Sequence, residues 1–356
     1  MTKKRNRMKK EIELLKSLIK TQSFSSEEDK TALLLENYLK ENEISFNREN
    51  NNVWATNKYF DDKKPSILLN SHHDTVEPNS AYTNDPFSAD EKEGVIYGLG
   101  SNDAGASVIS LLATFVHFYH QKDLKYNLII AITAEEESSG AKGLNSLLKT
   151  LPEIDFAIVG EPTQMHLAIA EKGLLVLDVI AEGIPGHAAH TNTVNPIYKI
   201  MDDIEWFRKF EFDKNSEFLG NVKMSVTQIN AGTQHNVVPA ECSLVIDVRV
   251  NDKYSNLEVL EIIKQNVKSK VIARSTNLNS SAIDKNHPFV QAGVNLGRET
   301  YGSPTLSDQS VLTCQSVKLG PGDSTRSHQA DEYILISEIE EGIDLYKKML
   351  SNVIIG

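Results

Sequence analysis

A chain of 356 residues, 40% of them hydrophobic, is long enough for two domains or for one domain carrying an insertion. Its 37 basic and 49 acidic residues leave a net charge of −12, which argues against general nucleic-acid binding and suits a site rich in carboxylates. Two cysteines, Cys242 and Cys314, exclude a zinc–thiolate cluster and a disulfide framework and point to a reducing compartment.

In chain order, the basic start MTKKRNRMKK has no apolar run behind it. It reads as a solvated tail rather than a signal peptide or a nucleic-acid arm. No stretch approaches the roughly 18 apolar residues of a membrane span, so the expected location is cytoplasmic. Residues 8–21 have Ile12, Leu15, Leu18 and Ile19 at helical spacing. Ser25 and Glu28 make a capping-box pattern ahead of a second helix that runs to about Lys40. Strands are expected near Val53–Thr56, Ile67–Asn70, Asn127–Thr133 and Asp155–Val159, with a long helix from Ala104 to Tyr119. This alternation predicts an α/β/α sandwich on a largely parallel sheet.

From Lys172 the texture changes. Strand patterns at 173–183, 223–234 and 240–250 and helical patterns at Pro196–Phe210 and Leu257–Val267 suit a small α+β unit with an antiparallel sheet. A strand at Ser316–Leu319 and a helix from Ser337 then return to the first texture. The expected division is a discontinuous catalytic domain, 1–171 and 283–356, interrupted by an inserted domain, 172–282.

The chemistry-bearing residues sit where apolar runs end. Ile67–Leu69 leads into Ser71-His72-His73-Asp74, and alternation along a strand puts His72 and Asp74 on one face. A histidine ligand needs an acceptor to fix its ring, and Asp74 is two residues away. The turn Gly98-Leu99-Gly100-Ser101-Asn102-Asp103 delivers a second candidate ligand, Asp103. Its glycines lack the spacing of a dinucleotide fingerprint. Glu135-Glu136-Glu137 follows one buried strand and Glu161 another, while His187 and His328 lie in glycine-rich loops. Ligands of such sheets collect beyond the carboxyl ends of the strands. Two histidines and three carboxylates suffice for two metal positions if one carboxylate bridges, and zinc accepts such donors.

The ordered set His72-x-Asp74, Gly98-x-Gly100-x-x-Asp103, a Glu-Glu pair, Gly160-Glu161-Pro162-Thr163, Gly186-His187 and a late His328 resembles the M20 metallopeptidases and amidohydrolases over essentially the whole chain. These include acetylornithine deacetylase, succinyl-diaminopimelate desuccinylase, aminoacylase and glutamate-releasing carboxypeptidases. The resemblance implies two zinc ions per subunit, with Co2+ able to substitute. His72, Asp103 and Glu161 would hold one and Asp103, Glu137 and His328 the other. Asp74 would orient His72, and Glu136 would be the general base. The base–ligand pair is either Glu136-Glu137, the alignment adopted, or Glu135-Glu136. The resemblance also implies a homodimer formed through the inserted domain as a lid, with His187 reaching the partner's site and Asn236 and Arg249 contacting a small-molecule substrate. The expected reaction is hydrolysis of an N-acyl amino acid amide, foremost N-acetyl-L-ornithine in arginine biosynthesis. A desuccinylase (of succinyl-ornithine or succinyl-diaminopimelate), an acetylcitrulline deacetylase or a dipeptidase is the alternative.

Overall fold

The computed structural model describes residues 2–355, and the side chains of residues 8–355. The chain opens with helices α1 (Thr2–Ile19) and α2 (Asp29–Glu41), strands β1 (Asn47–Glu49), β2 (Asn52–Thr56), β3 (Ser66–His72), β4 (Glu91–Lys92) and β5 (Val95–Tyr97), then α3 (Ala106–Phe118), β6 (Asn127–Thr133), α4 (Leu144–Leu147), β7 (Phe156–Val159) and β8 (Leu167–Glu171). It continues with β9 (Gly173–Glu182), β10 (Gly186–His187), α5 (Pro196–Lys209), β11 (Lys223–Ala231), β12 (Val237–Val238), β13 (Glu241–Val250), α6 (Asn256–Asn266) and β14 (Lys270–Ala273). It closes with β15 (Ser281–Ala282), α7 (Pro288–Asn295), β16 (Thr300–Ser303), β17 (Gln315–Lys318), β18 (Tyr333–Leu335) and α8 (Ile336–Ile354). Two compact units result. The first comprises Met1–Ile169, Ala282–Tyr301 and Ser307–Gly356, and the second comprises Ala170–Ser281 and Gly302–Leu306.

In the first unit, β3, β6 and β7 are apolar runs with little polar alternation, as strands buried on both faces should be. The sheet order is β1-β2-β6-β3-β7-β17-β8-β15. Its centre, β6-β3-β7-β17, is parallel. Its flanks are antiparallel, so the sheet is mixed rather than parallel throughout. One flank follows from local chemistry. Asn50 and Asn51 close β1 onto β2 as a two-residue hairpin, and Asn50 takes the positive φ of 55° that such a turn asks of asparagine or glycine. On one face of the sheet Leu68, Ile129, Ala131 and Ala157 pack with Leu144, Leu147 and Leu151. Elsewhere α3, buried except at Val116 and His117, packs against β3, β6, α1 and α8.

The second unit is an α+β layer pair. Its sheet, β11-β13-β9-β14, is antiparallel throughout. Alternate residues of β9 and β13 are buried, and Leu175, Leu177, Val179, Leu244, Ile246 and Val248 join Ile200, Phe207, Val259 and Ile263 in one core.

Two local expectations change. Helix α1 starts at Thr2, ahead of the residues 8–21 that the spacing marks; the reading of the basic start as solvated falls on residues 1–7, whose side chains lie outside the described ones. Ser25 does not cap α2. The flanking residue there is Glu28, and the Ser25 hydroxyl donates to Asp74 Oδ2 at 2.7 Å. A long-range carboxylate takes the hydroxyl that a local cap would have used. Among the described residues no helix is long and apolar enough to cross a membrane.

Candidate metal centre

His72 is the last residue of β3 and is fully buried. Its Nδ1 lies 3.0 Å from the backbone carbonyl of Asp74, so Nδ1–H donates there and the Nε2 lone pair faces outward. Asp103 Oδ1 at 3.2 Å and Glu161 Oε1 at 3.6 Å surround that Nε2. Acceptors facing acceptors repel unless a positive charge lies between them.

Asp103 reaches this place through the glycine turn. Gly100 has φ +76°, and a Cβ there would stand 2.7 Å from Thr75 Cγ2, so the turn needs glycine for both conformation and space. The two carboxylate oxygens of Asp103 face different histidines: Oδ1 faces His72, and Oδ2 lies 3.8 Å from His328 Nε2. His328 Nε2 in turn lies 3.0 Å from Glu137 Oε2. Donor atoms of His72, Asp103 and Glu137 all fall within 4.8 Å of one another, the spacing of ligands around a small ion. Glu161 follows β7, where Gly160 leaves no room for a side chain: a Cβ would meet Leu111 Cδ1 at 2.8 Å and Ser107 Cβ at 2.9 Å.

The acidic triplet lies in a turn beyond β6. Asp74 organises it. One carboxylate oxygen accepts the amide N–H of Glu136 at 3.1 Å, and the other accepts that of Glu137 at 3.1 Å and the Ser25 hydroxyl. The Asp74 carboxylate therefore holds the turn, and it is the Asp74 carbonyl that lies nearer the His72 ring, its Oδ1 standing 3.5 Å away. Glu135, at φ +55°, turns aside: its carboxylate accepts from the Ser26 hydroxyl at 2.9 Å and the Lys142 amide at 2.9 Å. Glu136 and Glu137 face the cluster.

Electrostatics describe a site short of positive charge. Burial, with the Asp103 charge, pushes Glu161 up to about 8. Burial, with Glu161, Asp308 and Glu137 around it, pushes Glu136 well above the usual carboxylate range. Burial works against a charged His72, yet Asp103, Asp74, Glu136 and Glu161 outweigh it and hold its proton well past the ordinary pKa. Hydrogen bonding to Glu137 raises His328 to about 9. Imidazole nitrogens among crowded carboxylate oxygens fit divalent cations of the zinc type, which would replace those protons.

Three participants escaped the sequence reading. Glu332, 2% exposed, accepts the amides of Asn102 and Asp103. Asp308, pushed up to about 6 by burial, accepts the Thr133 hydroxyl at 2.7 Å. Fully buried Glu28 accepts the amides of Ser26 and Glu135 and the Asn51 side chain. Neither Asp308 nor Glu332 follows an apolar strand, so no periodic signal marks them; Glu28 lay inside the pattern read as a cap.

The remaining candidates belong to the second unit. His187 is exposed on β10, with Nδ1 accepting the Ala189 amide at 3.1 Å and its ring 5.5 Å from that of His190. The Asn236 carbonyl accepts the Ala188 amide, next to the β10–β12 pairing. Arg249, on β13, has its guanidinium fork engaged by Asp247, at 2.9 and 3.1 Å.

Comparison with known proteins gives a consistent context. The family model described as Peptidase family M20/M25/M40 matches residues 68–352. A succinyl-diaminopimelate desuccinylase of Rickettsia bellii is 28% identical over 371 residues, covering 94% of this chain and 95% of that protein. Among solved structures, an M20 family metallo-carboxypeptidase from Sulfolobus solfataricus superposes with a TM-score of 0.74 at 17% identity, covering 96% of this chain and 98% of that one. A dinuclear metal-binding peptidase of the M20 family from Bacillus subtilis does so with a TM-score of 0.72 at 16% identity, covering 97% and 98%.

The Asp74 contacts carry an expected outcome. Asp74→Ala frees the Glu136–Glu137 turn and should weaken divalent-metal affinity about 10–100-fold, the usual loss when a ligand's support is removed. Chelator competition measures it, and unchanged affinity would show that the turn is held without Asp74.

Proposed function

We infer the reaction from one premise: the chain belongs to peptidase family M20/M25/M40. We propose that it hydrolyses the amide bond of an N-acyl amino acid with two divalent cations, zinc in the first place and Co2+ as a substitute. The observation that carries this is Asp103, whose two oxygens face two histidines, each of which also faces another carboxylate. In this reading His72, Asp103 and Glu161 hold one cation and Asp103, Glu137 and His328 the other. Bound there, such a pair polarises a carbonyl and makes a water more acidic.

The chain's own groups do the rest. Glu136, beside the ligands and unused as one, takes the proton of the attacking water and returns it to the leaving amine. Burial and the neighbouring carboxylates Glu161, Asp308 and Glu137 favour its protonated form. Asp74 keeps Glu136 and Glu137 aimed through their amides. His187 of the partner subunit donates to the developing oxyanion. Residues 172–282 serve as dimerisation lid, and Asn236 and Arg249 bind the substrate, Arg249 by exchanging Asp247 for a substrate carboxylate.

For the acyl group, similarity to the Rickettsia bellii desuccinylase favours succinyl over acetyl. We therefore place an N-succinyl amino acid, succinyl-diaminopimelate foremost, ahead of the N-acetyl-L-ornithine that the family resemblance favours. Acetylcitrulline and dipeptides follow.

Release of free amine from a panel of succinyl-diaminopimelate, succinyl-ornithine, acetyl-ornithine, acetylcitrulline and dipeptides by metal-loaded protein should be greatest for the succinylated ones. Preference for acetyl-ornithine reverses the order, and no turnover of any amide ends the reading. Glu136→Ala should retain its metal yet lose about 10²–10⁴-fold in turnover; a near-normal rate would move the proton transfer to another group. The intact protein should have twice the chain mass in light scattering, and a fully active monomer would remove His187 from the shared site.

A further inference from the structure

Besides its ligands, the centre contains buried carboxylates with no role in the reaction as written, and Glu332 is one of them. Glu332 lies four positions beyond His328 and is 2% exposed. Its place is set by strand pairing. In β5 and β18 Tyr97 stands opposite Tyr333, and the ladder continues one step as the Gly98 amide donates to the Glu332 carbonyl at 2.8 Å. The Glu332 side chain then crosses under the glycine turn, where Oε1 accepts two consecutive amides, Asn102 at 2.8 Å and Asp103 at 2.9 Å. Both ends of the turn that carries Asp103 are thus held by one residue. A second tie joins the same segments: Asn102 Nδ2 donates to the Asp323 carbonyl at 3.1 Å, and the Asp323 amide donates to Asn102 Oδ1 at 3.0 Å.

We propose that Glu332 is a positioning residue for the metal pair: by clamping the amides of Asn102 and Asp103 from the segment that bears His328, it makes the bridging carboxylate and the late histidine one preformed unit. Removing a carboxylate from water beside Asp103 is costly, and two charge-assisted amide bonds are a specific return for it. A neutral, apolar residue would fill the same space at less cost if packing were its whole purpose. The geometry also sets the demand on the side chain. It must reach two adjacent amides with one acceptor oxygen, which Gln can do, while Asp is one methylene short and Ala offers nothing.

The inference rests on the reading of Asp103 and His328 as ligands, and the test separates the two. Zinc and cobalt dissociation constants are measured by chelator competition on the intact protein and its variants, with urea unfolding of the metal-free forms alongside. If the unaltered protein binds no divalent ion, the ligand reading fails. If it binds, Glu332→Ala and Glu332→Asp should each weaken metal binding about 10–100-fold, with kcat falling more than KM rises. Glu332→Gln should stay within about threefold of the parent, since it keeps the acceptor. Glu338→Ala supplies the control, because it breaks the Arg326–Glu338 ion pair next to the same segment without touching the turn. It should lower stability while leaving metal affinity intact. Parental affinity in both Glu332→Ala and Glu332→Asp, a Gln variant as weak as the Ala variant, or an equal loss in Glu338→Ala would each overturn the proposal. Should Glu332→Ala fold poorly, Glu332→Asp decides alone.

Discussion

Like charges drawn out of water to within a few ångströms of each other must be kept from escaping. Glu161 and Glu137 make Glu136 harder to ionise, Asp103 does the same to Glu161, and His72 and His328 stand against these carboxylates. The side chains could relieve the repulsion by rotating away, so the backbone that carries them has to be rigid. The parallel centre of the sheet brings the carboxyl ends of β3, β6 and β7 to one edge. Asp74 and Glu332 then fix, through amide hydrogens, the two loops whose residues would otherwise swing outward.

Family membership and substrate rest on different parts of the chain. In the proposed reaction the clustered histidines and carboxylates activate water whatever amide is cleaved, so they do not discriminate a succinyl from an acetyl group. That choice depends on where a second negative charge on the acyl chain can be met.

Residues that end apolar runs were readable from the sequence because the change from apolar to polar is local. A buried strand shows itself as a short unbroken apolar run, and a polar residue at its carboxyl end is conspicuous. His72, the glutamate turn and Glu161 all have that signature. The boundaries of β6, β13 and α5 follow equally from local pattern. Groups acting through the backbone were not readable. Glu332, Asp308 and Glu28 hold amides or hydroxyls far away in sequence, and nothing near them in the chain announces the partner. Ser25 shows the limit most clearly: its spacing to Glu28 suits a local cap, yet a carboxylate 49 positions later takes its hydroxyl. The division between Glu135 and its two neighbours likewise needed a positive φ that composition does not reveal.

The interleaved order of β7, β8 and β17 has a consequence for synthesis. During translation the sheet of the second unit is complete once β14 has emerged, whereas the first unit still lacks the strand that fills the gap between β7 and β8. Until then one side of β7 is an open row of amides and carbonyls, available to any passing strand. His328 and the clamp at Glu332 come later still. A ribosome that stops early therefore releases a chain with most of its buried acids made, no late histidine to set against them and a sheet left unclosed, a product marked for aggregation or proteolysis rather than for partial activity.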